Sequence, residues 1–384
     1  MKRPDGGRMN FKEIIKKVIY AGFRILPVER NKVLFFSYYG EQYSGSPKYI
    51  SRYLAGHSKM KQVWAFTDCG KHRMRNARTV RFGHPGYYFH LATAGVIITN
   101  YRMPEEFVKR KGQTYIQTWH SSLRLKMIEK DAEDTLPENY VRMAKKDSAQ
   151  IDYLLAGSGK SRDIFRRAFW YDGPIVPAGT PQCDILFGKN RKISDKVRAH
   201  YGIPADGKIA LYAPTFRKDH DTSVYDLDTE ALIESLTDRF GGKWHILMRL
   251  HPHLIGKLDC FSYTDTVLQA TDYQDVQELL AASDFLVTDY SAIMFDFSVT
   301  KRPCCLYTPD LASYTEADRK LYFDIRELPF PCCGTNEELS ETIRGFDETG
   351  YKSRLNEFLS AIESYDDGHA CARVLDLISD EKSS

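Results

Sequence analysis

The sequence predicts an α/β protein of two domains, each a parallel sheet covered by helices, facing each other across a cleft. Three observations carry this expectation. Short apolar and β-branched runs alternate with helical patterns along the chain, the arrangement that builds parallel sheets with helices on their faces. Many of these runs are continuously apolar, as strands buried on both faces are. Ten such runs over 384 residues, with a polar stretch near Gly188–Lys196, fit two sheets better than one.

The first element is a helix. Phe11, Ile14, Ile15, Val18 and Ile19 recur at the spacing of one helical face, with Lys12, Lys16 and Lys17 between them. Such a basic amphipathic helix rests on an anionic membrane surface or docks on the protein's own core, and the pattern fits both equally. Met9–Leu26 has neither the apolar stretch nor the cleavage site of a secretory signal. No apolar run approaches the ~18 residues of a membrane span. The strand runs follow. Lys32–Ser37, Gln62–Thr67, Gly95–Asn100, Thr114–Trp119 and Tyr153–Ala156 fall in the first half. Lys208–Ala213, Trp244–Leu250, Thr266–Ala270, Phe285–Thr288 and Pro303–Tyr307 fall in the second. Helical patterns such as Thr229–Leu236 and Gln274–Ala282 separate them. The expected division is residues 1–26 for the helix, 27–187 for the first domain and 188–384 for the second, with the last helix able to pack back on the first domain. Parallel α/β domains bind ligands at the carboxyl ends of their strands, so the cleft is the expected site.

Composition narrows the function. Lys and Arg total 54 against 51 Asp and Glu, too balanced for a dedicated nucleic-acid binder. Apolar residues at 42% and charged residues at 27% are ordinary soluble values. The 8 cysteines include two vicinal pairs, Cys304–Cys305 and Cys332–Cys333, but no CxxC spacing, so neither zinc nor a redox motif is expected. They read as small buried apolar residues kept reduced, with redox-active adjacent thiols as the minor alternative. The sequence holds no GxGxxG and no Walker A motif. No cofactor is expected.

Four segments carry chemistry. His120 follows the strand run ending at Trp119, and Ser121 and Ser122 come directly after it. A neutral imidazole at a strand end can take a proton from an attacking alcohol, though a hydrogen-bonded core histidine is the commoner use of a lone His. Arg249, His251 and His253 alternate on an extended chain and share a face, with Pro252 holding it extended. An arginine fork with two imidazoles suits a diphosphate; zinc is the rival, but His-x-His has no third ligand nearby. Thr288, Asp289, Tyr290 and Ser291 end an apolar strand, with Ser291 where a helix N-cap would sit and Asp296 about one and a half turns inside that helix. Free amides there would hold a phosphate, or Ser291 merely caps the helix and Asp289 merely orders the turn. Thr215 and Arg217 follow Pro214 at another strand end, where Arg217 is a phosphate ligand or an ordinary surface cation.

These residues resemble the CDP-glycerol:poly(glycerophosphate) glycerophosphotransferases, which build teichoic acids and related polyol-phosphate polymers. The resemblance runs from about Lys32 to Leu377. It includes Phe36-Ser37, Pro47-Lys48-Tyr49-Ile50, Gln117-Thr118-Trp119-His120 with Leu125-Lys126, and Gly179-Thr180-Pro181 with Asp184. It continues through Ala213 to Arg217, Arg249 to Pro252, Thr288 to Ser291 with Phe295-Asp296, Lys301-Arg302-Pro303 and Asp367-Gly368. It implies a GT-B-like fold of two Rossmann-like domains and attachment to the cytoplasmic face of a membrane. It implies that a polyol phosphate passes from CDP-glycerol to a hydroxyl of a lipid-linked or polymeric acceptor, with CMP released, for a teichoic acid or capsule-like polymer. Its catalytic histidines map onto His120 and His251, and its phosphate-binding turn onto Thr288 to Ser291. Ser121, Lys126, Thr215, Arg217, Arg249, His253 and Asp296 complete the expected substrate contacts. The chain departs from the family's pattern in three places. Ser121-Ser122 replaces Gly-Thr, Arg124-Leu125 stands around the position of a proline, and Gln182 occupies an arginine position. These departures bear on the acceptor and the polyol. CDP-ribitol as donor, a nucleotide-sugar glycosyltransferase on the same fold, and a non-enzymic membrane adaptor remain the alternatives.

Overall fold

Two all-parallel sheets frame the protein, seen in a computed structural model that describes residues 11–72, 74–188, 190–217, 223–250, 261–317 and 320–383. The first contains β1 (Glu29–Phe36), β2 (Lys61–Phe66), β3 (Arg78–Arg81), β4 (Ala94–Thr99), β5 (Thr114–Gln117), β6 (Tyr153–Leu155) and β7 (Ile175–Val176), in the order β3-β2-β1-β4-β5-β6-β7. The second contains β8 (Lys208–Ala213), β9 (Trp244–Met248), β10 (Val267–Gln269), β11 (Phe285–Thr288), β12 (Cys304–Tyr307) and β13 (Cys332–Cys333), in the order β10-β9-β8-β11-β12-β13. The ten strand runs all fall on strands; β3, β7 and β13 were not expected. Each sheet winds outward in both directions from its first strand. The reversal lies between β1 and β4 in one sheet and between β8 and β11 in the other, and a crevice opens at the carboxyl ends there. Phe36 pairs with Thr99 at the first reversal and Ala213 with Thr288 at the second. This is the GT-B-like arrangement of two Rossmann-like lobes.

The continuous apolar runs fold as two-sided strands because both faces are covered. Phe35 stacks on Trp64 at 5.3 Å on one face of the first sheet, while Phe36 meets Phe82 and Tyr87 on the other. The terminal helix Ala370–Ser383 follows the second sheet in sequence but packs on the first, placing Cys371, Val374 and Ile378 against Val33, Phe35 and Trp64. The Asp184 carboxylate anchors it by accepting from the N–H groups of Ala370 (3.0 Å) and Cys371 (2.8 Å). The cysteines of the described residues are free thiols, and five of them are buried.

The N-terminal helix spans Phe11–Phe23. It docks through Tyr20, whose hydroxyl donates to the Val108 carbonyl at 2.9 Å, and through Phe23, edge-on to Phe89 at 5.7 Å. Ile19 also packs inward, whereas Ile14, Ile15 and Val18 point to solvent. The apolar stripe is therefore wider than the docking face, and its outer half is uncovered.

Among the polar contacts that join the lobes are two buried clasps. Lys48, on the helix Gly45–His57 of the first lobe, donates to Asp275 at 2.5 Å and Glu278 at 2.8 Å of the second. Tyr49 adds a hydrogen bond to Asp275 at 2.7 Å. Asp296 forms the other clasp, described with the site it supports.

Candidate functional site

The first crevice is shaped by three residues whose backbone is unusual for side chains of their size. Tyr38 and Tyr39, just past β1, have φ of 47° and 54°, and Trp119, just past β5, has φ of 51°. A non-glycine residue holds this left-handed conformation only where its surroundings over-determine it. Here the Tyr38 N–H donates to Asn100 Oδ1 at 3.1 Å, and the Trp119 N–H donates to Gln117 Oε1 at 3.0 Å. Gln117 is itself fixed by donating to the Tyr101 carbonyl at 2.8 Å. The Trp119 ring is buried edge-on to Phe169 at 4.7 Å.

That turn delivers His120 to the crevice. Its ring lies 4.4 Å from Trp119 and stacks on Tyr101 at 5.5 Å. Nδ1 lies 3.4 Å from the Asn100 carbonyl, which accepts but cannot donate, so Nδ1 carries the proton and Nε2 keeps a lone pair. Desolvation, reinforced by the nearby Arg124 guanidinium, lowers its pKa to about 3. The imidazole is therefore neutral at physiological pH, the state a general base needs. Ser121, half-buried, donates to the Leu123 carbonyl at 2.7 Å. Lys126, also half-buried, holds its ammonium 5.0 Å from the Tyr314 ring centre.

In the second crevice the structure corrects several expectations. Thr215, Arg217, Asp289 and Tyr290 do converge, but they satisfy one another. Asp289 accepts from the Thr215 N–H (2.8 Å), the Thr215 hydroxyl (2.6 Å) and Arg217 Nη1 (2.9 Å). Arg217 also grips Asp310 through Nε (2.6 Å) and Nη2 (3.1 Å) and the Thr215 carbonyl through Nη1 (2.6 Å). Burial opposes its charge, but Asp310 and Asp289 outweigh that and raise its pKa. Tyr290 donates to Asp310 at 3.0 Å and stacks on Tyr314 at 3.7 Å. Thr288 is buried, donating to the Ala213 carbonyl at 2.7 Å. Arg217 is neither a surface cation nor an open phosphate fork, because two carboxylates occupy it. Ser291 is not the helix cap either. The six-residue helix Ile293–Ser298 begins after Ala292, and the Ile293 N–H reaches Ser291 Oγ only at 3.5 Å. Among Thr288 to Ser291, Ser291 alone is half-exposed.

Asp296 is likewise not at an open cradle. It is 1% exposed. Oδ1 accepts from the N–H (3.0 Å) and hydroxyl (2.8 Å) of Ser122, and Oδ2 accepts from Gln182 (2.7 Å) and Gln277 (2.6 Å). Ser122 and Gln182 come from the first lobe, so this carboxylate clasps the residues flanking His120 to the second lobe.

Arg249 stands just past β9, half-buried, with Nη1 donating to the Ala270 carbonyl at 3.1 Å and to the Tyr273 carbonyl. No ion pair joins it to a carboxylate among the described residues. Burial lowers its pKa. His251 and His253 lie outside the described residues. Among the described residues no three His, Cys, Asp or Glu side chains converge as a metal site. Sequence reasoning missed two participants. Asn100 had a signal, since it follows the β4 run at the reversal point. Arg124 stood in plain view as a departure from the family's pattern but received no role.

Comparison with known proteins supplies the context for this geometry. Residues 18–380 match the family described as CDP-glycerol:poly(glycerophosphate) glycerophosphotransferase. The teichoic acid glycerol-phosphate transferase of Staphylococcus aureus is 32% identical over 384 residues, covering 96% of this chain and 98% of that protein. The teichoic acid poly(glycerol phosphate) polymerase of Staphylococcus epidermidis is 31% identical over 366 residues, covering 91% of this chain. The chain spans about half the length of that polymerase, 51%. The solved structure of the wall teichoic acid polymerase TagF is 30% identical and superposes with a TM-score of 0.85, covering 97% of this chain and 96% of that one. A variant of TagF soaked with CDPG gives the same TM-score of 0.85.

Proposed function

Because the chain belongs to the CDP-glycerol:poly(glycerophosphate) glycerophosphotransferase family, we propose that it transfers glycerol phosphate from CDP-glycerol to a hydroxyl of a lipid-linked or polymeric acceptor in teichoic acid synthesis. His120 Nε2 takes the proton of the acceptor hydroxyl. That oxygen bonds to the distal phosphorus of the donor. The bond from this phosphorus to the bridging oxygen breaks, and CMP leaves with the bonding electron pair. Such transfers depend mainly on positioning and charge stabilisation. Arg249 faces the departing phosphate, a role the sequence pattern also suggests for His251. Ser291 and Lys126 offer further donors. Thr215, Arg217, Asp289 and Tyr290 hold the turn that carries Ser291, and Asp296 holds the lobes in register.

The observation that carries this reading is the His120 imidazole, held neutral with Nδ1 at the Asn100 carbonyl and with no partner for Nε2 among the described residues, at the carboxyl end of β5, one strand from the reversal point of its sheet. The test is incubation with CDP-glycerol and an acceptor ending in glycerol phosphate, with CDP-ribitol and UDP- and GDP-sugars in parallel. CMP release with acceptor extension from CDP-glycerol is expected. Release of CMP from CDP-ribitol alone moves the donor to ribitol; release of UDP or GDP alone overturns polyol-phosphate transfer.

The protein works at the inner face of the membrane as a peripheral protein. No helix among the described residues is long and apolar enough to cross a membrane. Supporting a surface contact, Val18 and Ile25 are 65% and 87% exposed, and Ile14, Ile15 and Val108 are exposed beside them. Arg24, Lys109, Arg110 and Lys111 line a concavity with Ile25 at the same end. Apolar side chains among cations suit an anionic lipid boundary. Ile15→Asp with Val18→Asp is expected to weaken sedimentation with phosphatidylglycerol vesicles by about tenfold or more, from the apolar area lost, while CMP release with a soluble acceptor stays unchanged. Undiminished sedimentation would remove this face from membrane binding.

A further inference from the structure

Buried guanidinium groups in this protein follow a rule with an exception beside His120. Arg102 pairs with Glu129 at 2.7 Å and Asp147 at 3.2 Å. Arg217 pairs with Asp289 at 2.9 Å and Asp310 at 2.6 Å. Each receives two carboxylates. Arg124 is 4% exposed and, among the described residues, has none. Its Nη2 donates to the Ser121 carbonyl at 3.1 Å, and its Nε–H has no acceptor among the described residues. Its guanidinium carbon lies 5.8 Å from the centre of the Trp119 ring, whose neighbour is the His120 imidazole. Desolvation pulls its pKa down to about 9, only partly offset by Asp296, Tyr38 and Tyr322. A buried charge without a counter-ion is destabilising, and an anion that binds beside it relieves that penalty.

Several facts point that anion at the reacting centre. Arg124 is close enough to His120 for its charge to lower the imidazole's proton affinity. Tyr38 interacts electrostatically with both Arg124 and Arg249, so these two guanidinium groups, neither paired to a carboxylate among the described residues, sit around one aromatic residue. Two unpaired cations match a donor with two phosphates. The acceptor oxygen has to lie within hydrogen-bond reach of His120 and about 3–3.5 Å from phosphorus. The oxygens of that phosphoryl group then lie within a guanidinium's reach of the same imidazole.

We propose that Arg124 binds the phosphoryl group being transferred, donating its free Nε–H and a remaining Nη–H to the oxygens that gain charge as the acceptor–phosphorus bond forms and the bond to the CMP oxygen breaks. This rests on the transfer reading above and adds a contact to it. The bound anion completes Arg124 and, being negative, raises the proton affinity of His120 as substrate arrives.

The test compares Arg124→Met and Arg124→Lys with the parent chain. It measures CMP release from CDP-glycerol with an acceptor ending in glycerol phosphate, the pH profile of kcat, the thermal midpoint, and calorimetric binding of inorganic pyrophosphate. Arg124→Met is expected to lower kcat by ~10²-fold or more, as loss of a transition-state donor does. Its acidic limb of kcat should move to higher pH, because the imidazole loses a repelling charge. Its thermal midpoint should equal or exceed the parent's, because the unpaired buried charge is gone. Arg124→Lys, which keeps the charge but not the fork, is expected to fall between the two and serves if the Met variant does not fold. Turnover of Arg124→Met within threefold of an active parent overturns the proposal, as does lost turnover with a lowered midpoint and an unmoved acidic limb. A parent that releases no CMP yet binds pyrophosphate at least tenfold more tightly than Arg124→Met overturns the donor assignment and retains the phosphate site.

Discussion

His120→Ala is expected to cut CMP release from CDP-glycerol by ~10²-fold or more, the usual contribution of a positioned general base, while leaving the fold intact. The imidazole lies at a strand end, its neighbours Trp119 and Tyr101 are fixed by their own contacts, and no hydrogen bond in the described structure depends on its Nε2. The pH profile gives this expectation a second edge. A histidine with a pKa lowered to about 3 is deprotonated throughout the working range, so kcat/KM, which reports the free protein, should show no acidic limb from this residue above about pH 5. A bound diphosphate places negative charge beside the ring and favours its protonated form, so the corresponding limb of kcat should lie at higher pH. Parent-like turnover by His120→Ala would sink the base assignment. Coincident acidic limbs for kcat and kcat/KM would sink the tuning by substrate charge.

Asp296→Ala is expected to be the most damaging single change to stability away from the hydrophobic core. Four donors from Ser122, Gln182 and Gln277 lose their acceptor at once in a buried seam. Breaking a buried, hydrogen-bonded charge network by removing one member typically costs about 3–5 kcal/mol. Asp296→Asn should lie between, since its carbonyl oxygen can still accept from Ser122 while its amide group meets the glutamine donors. Denaturant midpoints of the three proteins check this ordering, and equal midpoints for Asp296→Ala and the parent would remove the clasp. Ser122 is two residues from His120, so Asp296→Ala is also expected to lower kcat, a consequence of the base losing its support rather than of a lost substrate contact.

The framework was legible in the sequence because its strands are buried on both faces. Leu34, Phe35 and Phe36, or Phe285, Leu286 and Val287, leave no alternative to a covered parallel sheet. The strands that escaped notice, β3, β7 and β13, are short and lie at or near sheet edges, where side-chain pattern is weakest. His120 was legible for the same topological reason as the sheet, because the carboxyl ends of parallel strands are where such folds place functional side chains. The cations were harder. Reading along the chain shows that Arg217 follows a strand; it does not show that Asp289 and Asp310, 72 and 93 positions further on, take up its guanidinium. Asp296 is misread in the same way, since its first-lobe partners are 174 and 114 residues away. Arg124 is the converse case. In sequence it is only an irregular residue, and what sets it apart is that no carboxylate pairs with it among the described residues.

The torsion angles at Tyr38, Tyr39 and Trp119 bear on how quickly the crevice becomes ready for work. Each left-handed residue of ordinary chirality costs the folded chain on the order of 1–2 kcal/mol, and that cost is met once, when the polypeptide folds. The imidazole is thereby mounted on a sprung bracket whose tension predates any encounter with donor or acceptor. A glycine in place of Trp119 would slacken the bracket, and the ring would then have to be aimed afresh in every catalytic round.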